Sequence, residues 1–238
     1  MVSKLRFFLF FILIFPVRSF AFDDLQEYWN IDLLYSYSRI ERSSLFQTEN
    51  FQSRQGVMLQ LEYEDQISLF SRWYVGGDLS ANFYEAAASV SFSPRALFPA
   101  QVYAGLGFQM GDLKAWEIFF GAGPSTEIFI LSSGSNNYNM ETGYSLRVHG
   151  GFSWRFLSIT GSSSQLLVRY SYPVTPVNQN GVSLSFRGIL DGSIRLRGRY
   201  DSLLSLLAGV RFEDYSFADE SVTFFSTRVY AGVGFHFN

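Results

Sequence analysis

The run GYSLRVHGGFSWRF, residues 143–156, places Tyr144, Leu146, Val148, Phe152, Trp154 and Phe156 on one parity and Arg147, His149 and Arg155 on the other. Successive side chains of a β-strand point to opposite faces, so this run predicts a strand with one apolar and one charged face. The same alternation recurs through most of residues 22–238, and apolar residues at helical spacing are hard to find. An all-β fold follows. Ten strands are predicted, at 29–39, 56–64, 72–83, 101–110, 115–123 (able to continue through TEIFIL), 143–156, 165–172, 181–190, 203–212 and 223–237. The eighth keeps one parity on to Tyr200. Its Asp191-Gly192 pair is a good hairpin dipeptide, but splitting the run there gives an odd strand number. One long strand bulged at Gly192 is therefore preferred, with eight and twelve strands in total remaining open.

The two parities differ most in charge. The apolar parity carries no Asp, Glu, Lys, Arg or His through the strand centres. The other carries Asp32, Glu62, Glu64, Arg72, Asp78, Glu117, Arg147, His149, Arg155, Arg169, Arg187, Arg211 and Arg228. In a soluble sandwich or lipocalin-type barrel the apolar face points inward. In a membrane barrel it points to lipid, where a charge at mid-depth costs about 2–4 kcal/mol. Three features favour lipid. The first is the strict segregation itself. The second is glycine on the polar parity (Gly76, Gly105, Gly107, Gly121, Gly123, Gly209, Gly232, Gly234), which weakens a strand but leaves room inside a narrow barrel. The third is the placement of Trp29, Trp73, Trp116 and Trp154, all on the apolar parity and all near one expected boundary, where amphipathic rings favour the headgroup layer. Tyr37, Phe83, Tyr144, Tyr170, Tyr172 and Phe212 fall toward the other boundary.

Residues 1–21 read as a cleaved signal peptide, with Lys4 and Arg6 before the apolar core Phe7–Phe15 and a small-x-small site at Ser19 and Ala21. Residues 22–238 then form a single barrel domain. Removing the signal takes away Lys4, Arg6 and Arg18 and no acid, so the remainder is more acidic than the whole chain's formal charge of −3. That balance gives no support for nucleic-acid binding. The absence of Cys excludes disulfides, thiolate nucleophiles and thiolate metal sites. No His pair stands at metal-ligand spacing, and neither a metal nor a cofactor is expected. Short connections at 65–71, 111–114, 157–164 and 201–202 alternate with longer polar ones at 40–55, 84–100, 132–142, 173–180 and 213–222. Short turns on one side and long loops on the other match membrane-barrel wiring, with both termini on the short-turn, periplasmic side.

In this pattern the chain resembles bacterial outer-membrane β-barrel proteins over residues 22–238. Its most specific element is the terminal strand TRVYAGVGFHFN. Members of that group end on an aromatic residue with apolar residues at alternate positions before it. Val229, Ala231, Val233, Phe235 and Phe237 match this, displaced by one because Asn238 follows. The resemblance implies an up-and-down antiparallel transmembrane barrel in the cell outer membrane. It also implies contact with outer-membrane lipid and lipopolysaccharide, and recognition of Val233, Phe235 and Phe237 by the barrel-assembly machinery. It transfers no function, because this scaffold serves many.

The interior of a ten-stranded barrel is narrow enough for side chains to fill. The inward charges Asp32, Glu62, Arg72, Asp78, Glu117, Arg147, His149, Arg155, Arg169, Arg187, Arg211 and Arg228 are expected to form an ion-pair network that largely plugs the lumen. A structural or surface-interaction role is the first reading, with a partner on the long outer loops, whose aromatics include Phe46, Phe51 and Phe98. A small anion-favouring pore is the alternative, suggested by the arginines and by the ladder Arg195, Arg197, Arg199. A lipid- or peptide-modifying enzyme comes third. Ser145 and Ser153 lie four residues from His149, ~13 Å along a strand, beyond nucleophile–base reach. A cross-strand serine is left open for His149 but no spacing points to one, and His236 lies at the periplasmic end. No catalytic residue is expected.

Overall fold

The computed structural model describes residues 28–44, 47–68, 70–86, 91–92, 95–110, 115–132, 137–157, 163–177, 184–197, 203–217 and 222–237. The signal segment 1–21, Phe46, Lys114, Arg199 and Asn238 lie outside them. All regular elements of the described chain are strands. They are β1 (Tyr28–Ser44), β2 (Thr48–Ser68), β3 (Ser71–Ala86), β4 (Ser91–Phe92), β5 (Arg95–Leu97), β6 (Ala100–Met110), β7 (Trp116–Ser132), β8 (Asn137–Leu157), β9 (Ser163–Val177), β10 (Leu184–Arg197), β11 (Leu204–Phe217) and β12 (Val222–Phe237).

Ten of these are long, and they close on themselves. The order runs β2-β1-β12-β11-β10-β9-β8-β7-β6-β3, and β3 pairs back with β2. Neighbouring long strands are antiparallel. The seam joining the chain ends aligns Trp29 with Phe237 and continues to Ser44 opposite Val222. Closure leaves no long edge to pair with another chain.

Period-2 packing is visible in adjacent residues. Leu33 is 52% exposed on the outside of the barrel, and Leu34 is 1% exposed inside it. The outer face presents Leu33, Tyr35, Leu59, Leu79, Val102, Phe120, Leu146, Leu190, Leu206 and Val233, an apolar surface suited to hydrocarbon and not to water. Trp29, Trp73, Trp116 and Trp154 lie on this face toward the terminus end. There the Trp29 ring lies 4.8 Å from Tyr63, which lies 5.2 Å from Trp73, and the Trp116 and Trp154 rings stack at 4.8 Å.

The strands are longer than the sequence pattern indicates. β2 and β8 each hold 21 residues, about twice the 9–11 that a tilted strand needs to cross the hydrocarbon. The segments expected as long outer loops at 40–55, 132–142 and 213–222 are largely strand. Within 84–100 lie two short strands: β5 pairs with β3, and β4 pairs in parallel with Asn137–Tyr138 of β8. The physical reason is an inversion of the alternation. Past the apolar band the outer positions become polar (Arg39, Glu41, Gln52, Arg54, Glu85), and the inner ones become apolar (Ile40, Phe51, Tyr84, Phe129, Tyr215, Phe224). A strand whose exterior meets water follows the soluble rule.

Two irregularities shift parity. In β2 the ladder with β1 slips between Ser36 and Ser38, where Arg54 and Gln55 stand opposite Tyr37 alone, and this one extra residue turns Phe51 inward. In β10 the break lies at Phe186/Gly188, and Gly188 has φ 147°, a left-handed region open to glycine. The bulge expected at Gly192 is absent: Gly192 pairs regularly with Val168 and Val210, and Asp191-Gly192 lies inside a strand and makes no turn.

Candidate functional site: the filled lumen

Nearly all the chemistry of this chain faces inward. At the terminus end, Arg72 pairs with Glu64 and Glu117, and Arg155 reaches Glu64 at 3.4 Å. Across the same end Arg195 donates to Asp32 at 2.7 Å, and Ser205 Oγ lies 2.9 Å from His236 Nε2. One carboxylate, Asp191, organises the middle. Its Oδ2 accepts from Arg169 at 3.1 Å and from Arg211 at 3.1 and 2.9 Å, and its Oδ1 accepts from Tyr230 at 2.7 Å. Beside it His149 meets Tyr74 at 2.9 Å, and Tyr103 donates to Glu62 at 3.0 Å.

Glycines make room for these groups. A Cβ on Gly209 would sit 2.4 Å from the Tyr230 ring, and one on Gly105 would meet the Tyr74 hydroxyl at 2.3 Å. Tyrosines therefore lie against the wall over glycines, with their hydroxyls projecting into the ionic layer.

Above this layer Arg147 makes a paired contact with Glu127 and holds Gln101. Higher still is a fully buried apolar cluster that includes Ile40, Phe51, Tyr84, Phe129, Tyr215 and Phe224. A clamp completes the stack. Arg42 and Glu49 are cross-strand partners on β1 and β2, 2.8 Å apart. Tyr138 of β8 donates to Glu49, its ring lies 4.9 Å from the Arg42 guanidinium, and it meets Phe51 edge-on at 5.6 Å. Around the ring β1 and β8 are five strands apart in either direction. Tyr138 thus ties the β7–β8 hairpin to β1 and β2. Ile130 and Met140, on the face of this hairpin opposite Phe129, are also fully buried, so both faces of its described strands are covered.

Of the residues singled out from sequence, Asp32, Glu62, Arg72, Asp78, Glu117, Arg147, His149, Arg155, Arg169, Arg211 and Arg228 face the interior. Arg187 does not. It lies outside, exposed, with Asp214 at 3.8 Å, because the irregularity at Gly188 offsets its parity. Phe51, expected on an outer loop, is buried in the lumen, whereas Phe98 is exposed. Val233, Phe235 and Phe237 lie on the outer face of β12. Sequence reasoning missed Glu49, Glu127 and Asp191 as lumenal acids. Glu127 and Asp191 were findable, since Glu127 shares the parity of Glu117, and Asp191 that of Arg195. Glu49 is hidden behind the β2 bulge. The Ser205–His236 contact crosses from β11 to β12, which no spacing along one strand reveals.

A closed antiparallel barrel of ten long strands, apolar outside and ionic within, defines a transmembrane β-barrel. Its connections are short at the terminus end and its hairpins tall at the other, the wiring of such barrels. No family model matches the chain, and no curated protein matches it by sequence. Among solved structures it is similar to an outer membrane channel from Pseudomonas putida F1, at 10% identity over 94% of this chain and 100% of that one, with a TM-score of 0.49. It is also similar to the translocator domain of autotransporter NalP from Neisseria meningitidis (11% identity, 87% and 88% covered, TM-score 0.43). A third is Ail, the attachment invasion locus protein of Yersinia pestis (10% identity, 87% and 98% covered, TM-score 0.32).

Proposed function

We propose that this protein is a closed outer-membrane barrel with a structural or surface-interaction role, presenting its tall outer hairpins to a partner outside the cell. The observation that carries this reading is the Tyr138 clamp, which ties the β7–β8 hairpin to β1 and β2 as part of the buried apolar cluster. A conducting path would have to open it.

The charge balance supports the same reading. Arg42, Arg147, Arg155, Arg169, Arg195 and Arg211 each have a carboxylate within 3.4 Å, and Arg72 has two. Within the arginine ladder that suggested an anion-favouring pore, Arg195 is neutralised by Asp32. A non-enzymatic role also fits the Ser–His contact present among the described residues. The Arg195 guanidinium lies 3.4 Å from the same His236 nitrogen that faces Ser205, and a cation there opposes the protonation a general base must undergo.

Planar-bilayer recording on the purified barrel tests the proposal. A silent bilayer is expected, and stepwise openings would refute closure.

A further inference from the structure

Going beyond that reading, we propose that the upper lumen is a binding site for a small carboxylate ligand, held in this structure by the protein's own Glu127. The Glu127 carboxylate accepts from Arg147 Nη2 at 2.9 and 2.8 Å, from Ser125 Oγ at 2.7 Å and from Ser145 Oγ at 2.9 Å. Arg147 is itself fixed by Gln101, which accepts from Nη1 at 2.7 Å. A guanidinium held by an amide, with two hydroxyls beside it, is the donor set that recognises a free carboxylate.

More donor capacity is present than Glu127 uses. Arg147 Nε is buried without a partner. Arg228 is 5% exposed and bonds only to hydroxyls, Ser38 Oγ at 3.4 Å and that of Tyr84, with no carboxylate at ion-pair distance among the described residues. Both arginines line a cavity of about 20 Å³ together with Asp78, Gln101, Glu127, Arg211 and Glu213. That volume holds about one water, so a ligand enters by taking the place of Glu127. Once Glu127 withdraws, Arg147 is left without its carboxylate, which an incoming carboxylate replaces.

The backbone permits the exchange. Glu127 sits where β7 leaves the wall: the ladder with β6 ends at Gln101 opposite Ser125, and Thr126 Oγ1 makes the last contact, accepting from Ala100 N at 2.8 Å. On the other side the ladder of β8 with β9 ends at Tyr144 opposite Val177. The described residues 127–132 and 137–143 pair with each other, and Asn137 and Tyr138 also with β4. Shifting Glu127 therefore breaks no rung of the barrel wall.

The test uses the whole barrel in detergent micelles, with propionate as the probe and hydrogen exchange of residues 126–143 as the readout. Propionate should accelerate exchange there saturably, with half-saturation about tenfold lower in Glu127→Gln, whose neutral amide competes less well for Arg147. Arg147→Met should abolish the response. Should that variant fail to fold, Ser145→Ala should raise half-saturation several-fold. No saturable response in Glu127→Gln overturns the site, and so does an equal response to sodium chloride at matched ionic strength. A response that neither Arg147→Met nor Ser145→Ala changes overturns it as well. A silent bilayer combined with propionate binding leaves both proposals standing, whereas conductance without binding removes both.

Discussion

Replacing Asp191 with Ala removes the carboxylate that holds the middle of the lumen together. The side chain accepts three hydrogen bonds from two guanidinium groups and one from Tyr230. Bonds to a charged group contribute about 1.5–3 kcal/mol each, a gross value of roughly 6–12 kcal/mol. Not all of it is lost, since Asp78 already stands 3.8 Å from Arg211 and can move toward it. Removing one member of a buried ion pair typically costs about 3–5 kcal/mol, and that is the expected loss here. With a urea dependence of about 2 kcal/mol per molar, the unfolding midpoint should fall by roughly 1.5–2.5 M. Urea titration of the barrel in detergent micelles, followed by tryptophan emission, measures it. Converting the whole cluster to apolar residues, Asp191→Leu and Asp78→Leu with Arg169→Met and Arg211→Met, should recover most of the loss, because apolar replacement of a complete buried ion cluster is often neutral. An Asp191→Ala midpoint within about 0.3 M of the parent protein would refute the keystone assignment.

Gly209→Ala places a methyl group 2.4 Å from the Tyr230 ring and should destabilise by about 1–3 kcal/mol. Gly192→Ala, whose Cβ meets nothing within 4 Å, should be neutral or slightly stabilising in the same titration. Tyr138→Phe keeps the ring over Arg42 and against Phe51 but loses the bond to Glu49, a loss of about 1–2 kcal/mol. It should raise proteolysis of the β1–β2 and β7–β8 hairpins without opening a conductance. Leu33→Arg puts a charge on the lipid face and should cost about 2–4 kcal/mol in folding into vesicles. Phe237→Asp should slow assembly in cells, measured as loss of the heat-modifiable folded band.

The barrel and its closure were legible because lipid enforces one rule over most of every strand. At Leu33, Tyr35 and Tyr37, or at Val229, Ala231 and Val233, an outward charge is costly, so the parity stays clean and strand number follows from counting runs. Legibility ended at Arg39. Past that point Ile40 faces in and Arg39 and Glu41 face out, and a reading keyed to apolar-outward residues sees a polar loop where the strand in fact continues. Bulges were the second source of error. An inserted residue leaves little trace in composition, yet it sent Arg187 outside and Phe51 inside. Partners across the lumen were illegible for a different reason. The approach of Tyr138 to Arg42 and Glu49, or of Arg195 to Asp32, depends on where a closed ring places opposite walls, and nothing local to either residue encodes that.

The same rule accounts for the distribution of polarity along the lumen. A strand apolar on both faces would be a continuous hydrophobic run that no longer specifies which face turns inward. At membrane depth the outer face must be apolar, so orientation is specified by the polar residues of the inner face, and Asp32, Asp78, Asp191, Arg211 and Arg228 stand there among smaller buried clusters such as Leu34, Met58 and Leu207. Beyond the membrane the outer face is wet, and an apolar interior becomes compatible with a single register. The change falls at Ser38–Ile40 on β1, at Asn82–Tyr84 on β3, between Arg211 and Tyr215 on β11 and between Ser226 and Phe224 on β12. On neighbouring strands these positions lie near one another in the ladder, since Ile40 pairs with Ser226 and Tyr215 with Phe224. On these strands the swap therefore falls at one level, as an outer face that passes from hydrocarbon to water requires.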